Sequence, residues 1–360
     1  MMKEFICETR LVMGNGALEA LKELKAKRLL VVADPFFAQN GWASRVAEAS
    51  GAETWEVFSE VKPDPSVELV ARGTARLLDF APDGVVALGG GSAMDCAKAM
   101  VYFSDLDIPL VAVPTTSGSG SEVTDFAILT HNGVKHPLVD RRLRPKMAIL
   151  EAGLLENMPP SLIADSGFDV LAHALEAWVG KNGNPMTEAL ACDAFRRVFS
   201  LLYDSYSGDK HTRLEIHAAS AMAGLAFTHG GLGVCHALSH ALGGQFHVPH
   251  GRLNAILLPA VVTANAEAAA GQYAKLSRLA GLGGSSDTVA LRNLKNGLIR
   301  LRNRLGLPGS LAAAGVEPMA LAEKTEEIVS AALRDPCCET NPLPVTAEML
   351  REILREVERG

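Results

Sequence analysis

Three uninterrupted apolar runs constrain this 360-residue chain more than any other feature. They are RLLVVAD (28–34), GVVALGG (84–90) and PLVAVPTT (109–116), each ending in Asp, Gly or Thr. A strand with one wet face alternates apolar and polar residues. A run without alternation is expected of a strand covered on both faces, as in a parallel sheet flanked by helices. Between the first two runs, DPSVELVARGTARLLDF (64–80) has helical periodicity, with Asp64 as the expected N-cap and Pro65 at the first helical position. After LENMPPSLIADSG the pattern changes. TEALACDAFRRVFSLLYD, PMALAEKTEEIVSAALRD and TAEMLREILREVERG are rich in Ala, Leu, Glu and Arg and fit helices. The expected fold is an α/β N-terminal domain with a parallel sheet, residues 1–158, followed by an all-α C-terminal domain, residues 159–360.

Composition excludes several function classes. A formal charge of −7 argues against a broad nucleic-acid surface, which needs a basic excess. The opening MMKEFICETRLVMGNG lacks a basic segment followed by an apolar core, so no secretory signal is expected. The most apolar stretch, LNAILLPAVVTANA, is interrupted by Asn254, Pro259, Thr263 and Asn265, so no membrane span is expected. Cysteines at 7, 96, 192, 235, 337 and 338 form no disulfide framework and read as reduced thiols of a cytoplasmic protein.

Two small-residue loops follow the second and third runs. ALGGGSAMDCAKAM (87–100) turns from a strand into a helix; its glycines allow close backbone approach, and the helix start offers unpaired N–H groups to a pyrophosphate. A tight turn without a ligand fits the same residues, and the segment is not the G-x-G-x-x-G fingerprint. PTTSGSGSEVTD (114–125) adds the hydroxyls of Thr115, Thr116, Ser117 and Ser119. Together the loops make a crevice at the carboxyl edge of the sheet, where α/β proteins bind ligands. Asp34 ends the first run. There it either caps a helix beside Pro35 or binds a ribose 2′-OH, which would favour NAD over NADP.

The second half carries the metal chemistry. In SLIADSGFDVLAHALEAWVG (161–180), Asp169 and His173 stand four apart, on one face of a largely apolar helix. His236, His240, His247 and His250 crowd into CHALSHALGGQFHVPH (235–250), in a chain with ten histidines. His236 and His240 repeat the four-residue spacing, and His250 stands between Pro249 and Gly251 as a helix entrance would. One oxygen donor and several imidazoles suit Fe²⁺, Zn²⁺ or Ni²⁺ rather than Mg²⁺ or Ca²⁺. Satisfied core histidines are the alternative.

GGGSAMDCAKA, PTTSGSGSEVT, GFDVLAHALEAWV and AGLAFTHGGLGVCHALSHALGGQFHVPHGRLNAILLP, in this order, resemble the successive motifs of the iron-containing (group III) alcohol dehydrogenases. The likeness runs from about residue 8 to the C-terminus. Within the family, ETRLVMGNGAL, FSEVKPDP, GGQFHVPHG and TNPLPVT are most similar to the 1-propanol dehydrogenases of propanediol utilisation, and less so to the lactaldehyde reductases. The resemblance implies a dinucleotide-binding N-terminal domain, a metal-binding C-terminal domain and NAD(H)-linked oxidation of an alcohol or reduction of an aldehyde. It implies metal ligation by Asp169, His173, His236 and His250, holding Fe²⁺ or alternatively Zn²⁺. It makes His240 a proton shuttle and leaves His247 a supporting or structural place. For the cofactor it implies Asp34, Asp64, Gly90, Gly91, Ser92, Asp95, Thr115, Thr116, Ser119 and Lys135. Asp64 stands where many members carry Asn, which weakens its assignment. Phe227 and Cys337 match positions that line the substrate pocket. The expected setting is a cytoplasmic homodimer, with a bacterial microcompartment as an alternative location. Two rival readings remain. A dehydroquinate-synthase-like lyase shares the two-domain plan, but its phosphate substrate calls for Lys and Arg around the metal segments, where Arg252 is the main one. A non-enzymatic scaffold is the other.

Overall fold

In the computed structural model, which describes residues 3–131 and 134–359, the apolar runs become the centre of one sheet. β1 (Arg10–Gly14), β2 (Arg28–Ala33), β3 (Thr54–Phe58), β4 (Gly84–Gly89), β5 (Leu110–Pro114) and β8 (Met147–Glu151) lie in the order β1-β8-β5-β4-β2-β3. Every pairing in it is parallel. β6 (Phe126–His131) and β7 (Val134–Val139) form a separate antiparallel hairpin. Alternate residues of the central strands explain the missing polar positions. Val31, Val86, Val111 and Ile149 are buried with Leu21, Val46 and Ala47 of the segments Ala17–Leu24 and Trp42–Ser50. Leu30, Val85 and Ala112, of opposite parity, are equally buried. Helices Val67–Phe80 and Gly91–Ser104 pack on each other, and the second lies against β4 and β5. Burying each large aliphatic side chain stabilises the sheet by roughly 1.5–3 kcal/mol.

The chain steps from β2 outward to β3, then returns to β4 and continues through β5 to β8. That reversal lies between β2 and β4. Asp34, Gly90 and Thr115 follow the carboxyl ends of β2, β4 and β5, so the expected crevice falls at the switch point.

The chain divides into two compact units. One comprises Ile6–Met158 and Arg213–Gly224; the other comprises the stretch ending at Phe5, Pro159–Thr212 and Leu225–Gly360. One change of unit falls between Met158 and Pro159. The further exchange of Arg213–Gly224, from within the helix His211–Gly230, had no counterpart in the sequence pattern. The second unit is helical: Pro160–Val179, Pro185–Tyr206, Val234–Phe246, His250–Ala264, Ala266–Leu279, Asp287–Arg304, Pro318–Leu333 and Ala347–Arg359 are its long helices. Pro160–Val179 is buried around nearly its whole circumference from Ile163 onward, which makes it the central helix of the unit.

One expected boundary is corrected. The helix after β3 is capped by Ser66, whose hydroxyl accepts from the Leu69 N–H at 3.2 Å, and not by Asp64. Asp64 takes a left-handed conformation at φ 54° and pairs with Lys135 instead. Among the described residues, no single helix is long and apolar enough to cross a membrane.

Candidate metal centre and dinucleotide crevice

The four-residue spacing places the Asp169 and His173 side chains together on the buried Pro160–Val179 helix. His236 lies in the first turn of Val234–Phe246, and His250 opens the helix His250–Ala264 behind Pro249. Three elements therefore converge on one carboxylate oxygen. Asp169 Oδ1 is 3.9 Å from His173 Nε2, 3.7 Å from His236 Nε2 and 3.4 Å from His250 Nε2. Donors held at ~2.1 Å around a tetrahedral ion stand ~3.4 Å apart; Asp169, His173 and His236 place one donor atom each within 4.8 Å of the other two, and His250 Nε2 approaches the shared carboxylate oxygen. One carboxylate and three imidazoles fit iron or zinc.

The electrostatics point the same way. Burial alone pushes the Asp169 carboxyl up, yet the facing imidazoles of His173, His250 and His236 hold it well below the usual carboxylate range. His236 shows the converse. Burial pulls it down, but Asp169 and Glu176 together raise it to about 9. A buried carboxylate pair holding a proton on an imidazole is a site that prefers a cation, and a metal ion replaces that proton.

Supporting contacts fix the donors. Glu176 accepts from His236 Nδ1 at 2.6 Å, and also from the backbone N–H of Gly233 at 2.9 Å and of Cys235 at 2.7 Å. That leaves His236 Nε2 for the metal. Asn254 donates to Asp169 Oδ1 at 2.8 Å while its own oxygen accepts from Ser239 at 2.5 Å. Arg252 makes a two-pronged pair with Asp165, one turn before Asp169, at 3.2 and 2.9 Å. Of the pocket positions, Phe227 stacks on His173 with ring centroids 4.4 Å apart. His240 stacks on His250 at 5.2 Å and meets Asp335 through Nδ1 at 2.7 Å. Cys337 is half-buried, and its backbone N–H donates to the other Asp335 oxygen at 2.9 Å. His247 ends the Val234–Phe246 helix in a left-handed conformation, a structural place.

The remaining site residues belong to the sheet-containing unit. Asp34 precedes a short helix at its N-cap position, but its side chain caps nothing there. It turns to the glycine loop and accepts from the Gly90 N–H at 3.0 Å. Burial raises its pKa, and that bond opposes the rise. Gly89 has φ 156°, and a Cβ there would lie 2.3 Å from Asp34 Oδ2, so only glycine brings carboxylate and loop this close. The two loops abut: a Cβ on Gly90 would stand 3.3 Å from Thr116 Oγ1, and one on Gly91 3.1 Å from Ser119 Cβ. Thr115 is buried, and its N–H donates to the Gly89 carbonyl at 2.9 Å. Ser92 sits in the first turn of Gly91–Ser104, a helix with no side-chain cap at Gly90 among the described residues, so its opening N–H groups can face an anion. Asp95 faces inward, accepting from Ser121 at 2.8 Å and from the Ile128 N–H at 3.1 Å; these bonds organise the hydroxyl loop. Lys135 and Asp64 meet each other at 2.7 Å.

The family description "Iron-containing alcohol dehydrogenase" matches residues 8–152, and "Fe-containing alcohol dehydrogenase family, C-terminal" matches residues 163–357. The chain belongs to the iron-containing alcohol dehydrogenase family. It is 40% identical over 369 residues to the 1-propanol dehydrogenase PduQ of Citrobacter freundii, covering 99% of this chain and 100% of the relative. The iron-containing alcohol dehydrogenase structure from Thermococcus thioreducens superposes with a TM-score of 0.92 at 32% identity, covering 99% of this chain and 100% of that one. Sulfoacetaldehyde reductase from Bifidobacterium kashiwanohense, solved with NAD⁺, gives 0.90 at 27% identity, covering 100% and 99%. The chain is therefore an oxidoreductase of this family, which implies NAD(H) and a divalent metal.

The sequence reading of the enzyme passed over four residues. Glu176 was detectable: with Asp169 and His173 it completes an i, i+4, i+7 stripe of polar groups on an apolar helix. Asn254 stands out in the same way in His250–Ala264. Lys98 is 1% exposed and donates to Ser121, Thr124 and the Phe126 carbonyl at 2.9–3.0 Å, holding the hydroxyl loop to β6. Asp335 gave no local signal, because its partner is 95 residues away.

Proposed function

We propose that the enzyme interconverts a short-chain primary alcohol, such as 1-propanol, and its aldehyde, with NAD(H) as hydride partner. Asp169, His173, His236 and His250 would hold Fe²⁺, with Zn²⁺ as the alternative ion. The observation that carries this reading is the convergence of three imidazole Nε2 atoms on Asp169 Oδ1 at 3.4–3.9 Å. The full-length likeness to a 1-propanol dehydrogenase supports the substrate class. When bound, the ion supplies Lewis-acid polarisation of the substrate oxygen.

The chain's own residues do the rest. Phe227, stacked on His173, and Cys337 give the substrate's carbon chain apolar walls. His240, held through Nδ1 by Asp335, keeps Nε2 available to carry a proton. Gly90, Gly91, Ser92, Thr115, Thr116 and Ser119 receive the pyrophosphate and nicotinamide half of the dinucleotide. Asp34 accepts from a ribose hydroxyl and repels a 2′-phosphate, favouring NAD over NADP. Lys135 reaches a cofactor hydroxyl, with Asp64 as its neighbour; Asp95 acts through Ser121. Arg252, the main basic residue of the metal-bearing segments, is engaged by Asp165, which disfavours the phosphate substrate a lyase reading requires. The setting this reading assigns is a cytoplasmic homodimer, free or within a bacterial microcompartment.

The test is NADH oxidation with propionaldehyde, using metal-stripped protein restored anaerobically with Fe²⁺ or Zn²⁺. Turnover should return with one ion, and His236→Ala should lose Fe²⁺ binding and turnover together. Activity persisting in metal-free His236→Ala would overturn the scheme. Asp34→Gly should weaken NADH binding and admit NADPH; an unchanged cofactor preference would assign Asp34 to the glycine turn alone.

A further inference from the structure

A second group of metal-binding side chains stands beside the first. His240 lies one turn beyond His236 on Val234–Phe246, while Asp335 and Cys337 come from a single tight turn around Pro336. One donor atom from each of the three lies within 4.8 Å of the other two. The carboxylate is already fixed, accepting from His240 Nδ1 at 2.7 Å and from the Cys337 N–H at 2.9 Å. All three residues are half-buried, so an entering ion has access while two donors stay rigid. To hold an ion, the His240–Asp335 contact must open to the ~3.4 Å donor spacing of a tetrahedral site, a movement of less than ~1 Å.

We propose that His240, Asp335 and Cys337 form a second metal site, selective for zinc over iron, through which zinc regulates the active site. The donor chemistry sets the selectivity. The first set offers one oxygen and three nitrogens, whereas this one offers oxygen, nitrogen and sulfur, and thiolate ligation favours zinc over Fe²⁺. Charge makes double occupancy feasible although the His240 and His250 rings stack at 5.2 Å. A carboxylate and a thiolate together neutralise a dication, so the second ion adds little net charge beside the first. Zinc on His240 Nδ1 takes the place of the Asp335 hydrogen bond and occupies the Cys337 wall of the pocket. The inhibition that follows rests on the proposed roles of His240 and Cys337; the binding itself does not.

Metal-free protein is titrated calorimetrically with Zn²⁺ and, anaerobically, with Fe²⁺. Two zinc equivalents and one iron equivalent are expected per chain. Cys337→Ser and Asp335→Asn should each weaken the second zinc event at least tenfold while the first equivalent still binds, which also reports that the variants are folded. In protein preloaded with Fe²⁺, turnover should fall as the second zinc event saturates, at a midpoint displaced tenfold in Asp335→Asn. A single zinc equivalent, or a second event unchanged in both variants, overturns the proposal. Absence of turnover with Fe²⁺ overturns the proposed function instead, and the zinc count still decides the second site.

Discussion

At the scale of single residues, Glu176 governs more of the metal centre than its place behind it suggests. Its carboxylate is 2% exposed and accepts three donors, one of them His236 Nδ1. It thereby fixes both the ring orientation and the nitrogen left for the metal. Glu176→Gln turns one acceptor into a donor that faces other donors, and such supporting changes typically cost 10–100-fold in metal affinity. The expected result is a metal dissociation constant raised by about that factor, measured by competition with a chelator. A change below twofold would show that helix packing alone orients His236. Much of this centre was legible. Asp169–His173 and His236–His240 stood out because four-residue spacing puts side chains on one helical face. Spacing alone could not separate the proposed ligands from the proposed shuttle among His236, His240 and His250. That distinction depends on which imidazoles meet Asp169 and which meets Asp335, contacts made between elements far apart in sequence.

At the scale of elements, the metal centre depends on how closely two helices approach. A Cβ on Gly251 would lie 1.9 Å from the Asp165 carbonyl oxygen, so glycine is required where His250–Ala264 crosses Pro160–Val179. The same crossing is fastened by the Arg252–Asp165 pair. Gly251→Ala must push the helices apart, and overpacking of this kind costs about 1–3 kcal/mol. Because Gly251 adjoins His250 and Asp165 precedes Asp169 by one turn, metal affinity should fall with stability. Urea unfolding with and without metal checks this: the variant should lose both midpoint and most of the metal-induced increment. A variant that keeps the full increment would uncouple the crossing from the site. Element types were readable from period, since unbroken apolar runs gave β2, β4 and β5 and 3.6-residue stripes gave the helices. Boundaries were less so. Ser66 takes the cap because Asp64 is drawn to Lys135 on the distant β7, and His250–Ala264 continues through Pro259 because its flanks are buried on both sides.

At the scale of the whole molecule, the change from strand–helix alternation to helices was legible in the sequence, but the grouping of Arg213–Gly224 with the sheet-containing unit was not. A helix keeps one period along its length whichever unit claims each half, so only contacts mark the transfer. Those contacts include Arg213 donating to the Leu155 and Glu156 carbonyls at 2.6 and 2.5 Å, and Ser117 meeting His217 Nδ1 at 2.9 Å. They also bury titratable groups that set how stability responds to pH. Burial lowers His217 to about 4, with donation from its ring to the Pro114 backbone carbonyl opposing, whereas burial raises Glu122 to about 7 against the pull of Lys98. The signs are opposite. His217 is neutral in both states above pH 6.5; below that the unfolded chain binds the extra proton, so this contribution is lost as pH falls from 6.5 toward about 4. Glu122 is protonated in both states below pH 4.5; above that the unfolded chain releases its proton first, so its contribution is lost as pH rises from 4.5 toward about 7. Each displacement corresponds to up to ~3 kcal/mol, and across the shared window they nearly cancel. Natural protein should therefore show little change in unfolding free energy from these two groups between pH 4.5 and 6.5. His217→Asn should leave the Glu122 slope exposed, with stability falling as pH rises, and Glu122→Gln should leave the His217 slope, with stability rising. Urea unfolding of the metal-free proteins at a series of pH values reads both slopes. Two variants with the same slope would mean that neither group holds its proton as its burial dictates, and that water reaches this part of the sheet-containing unit.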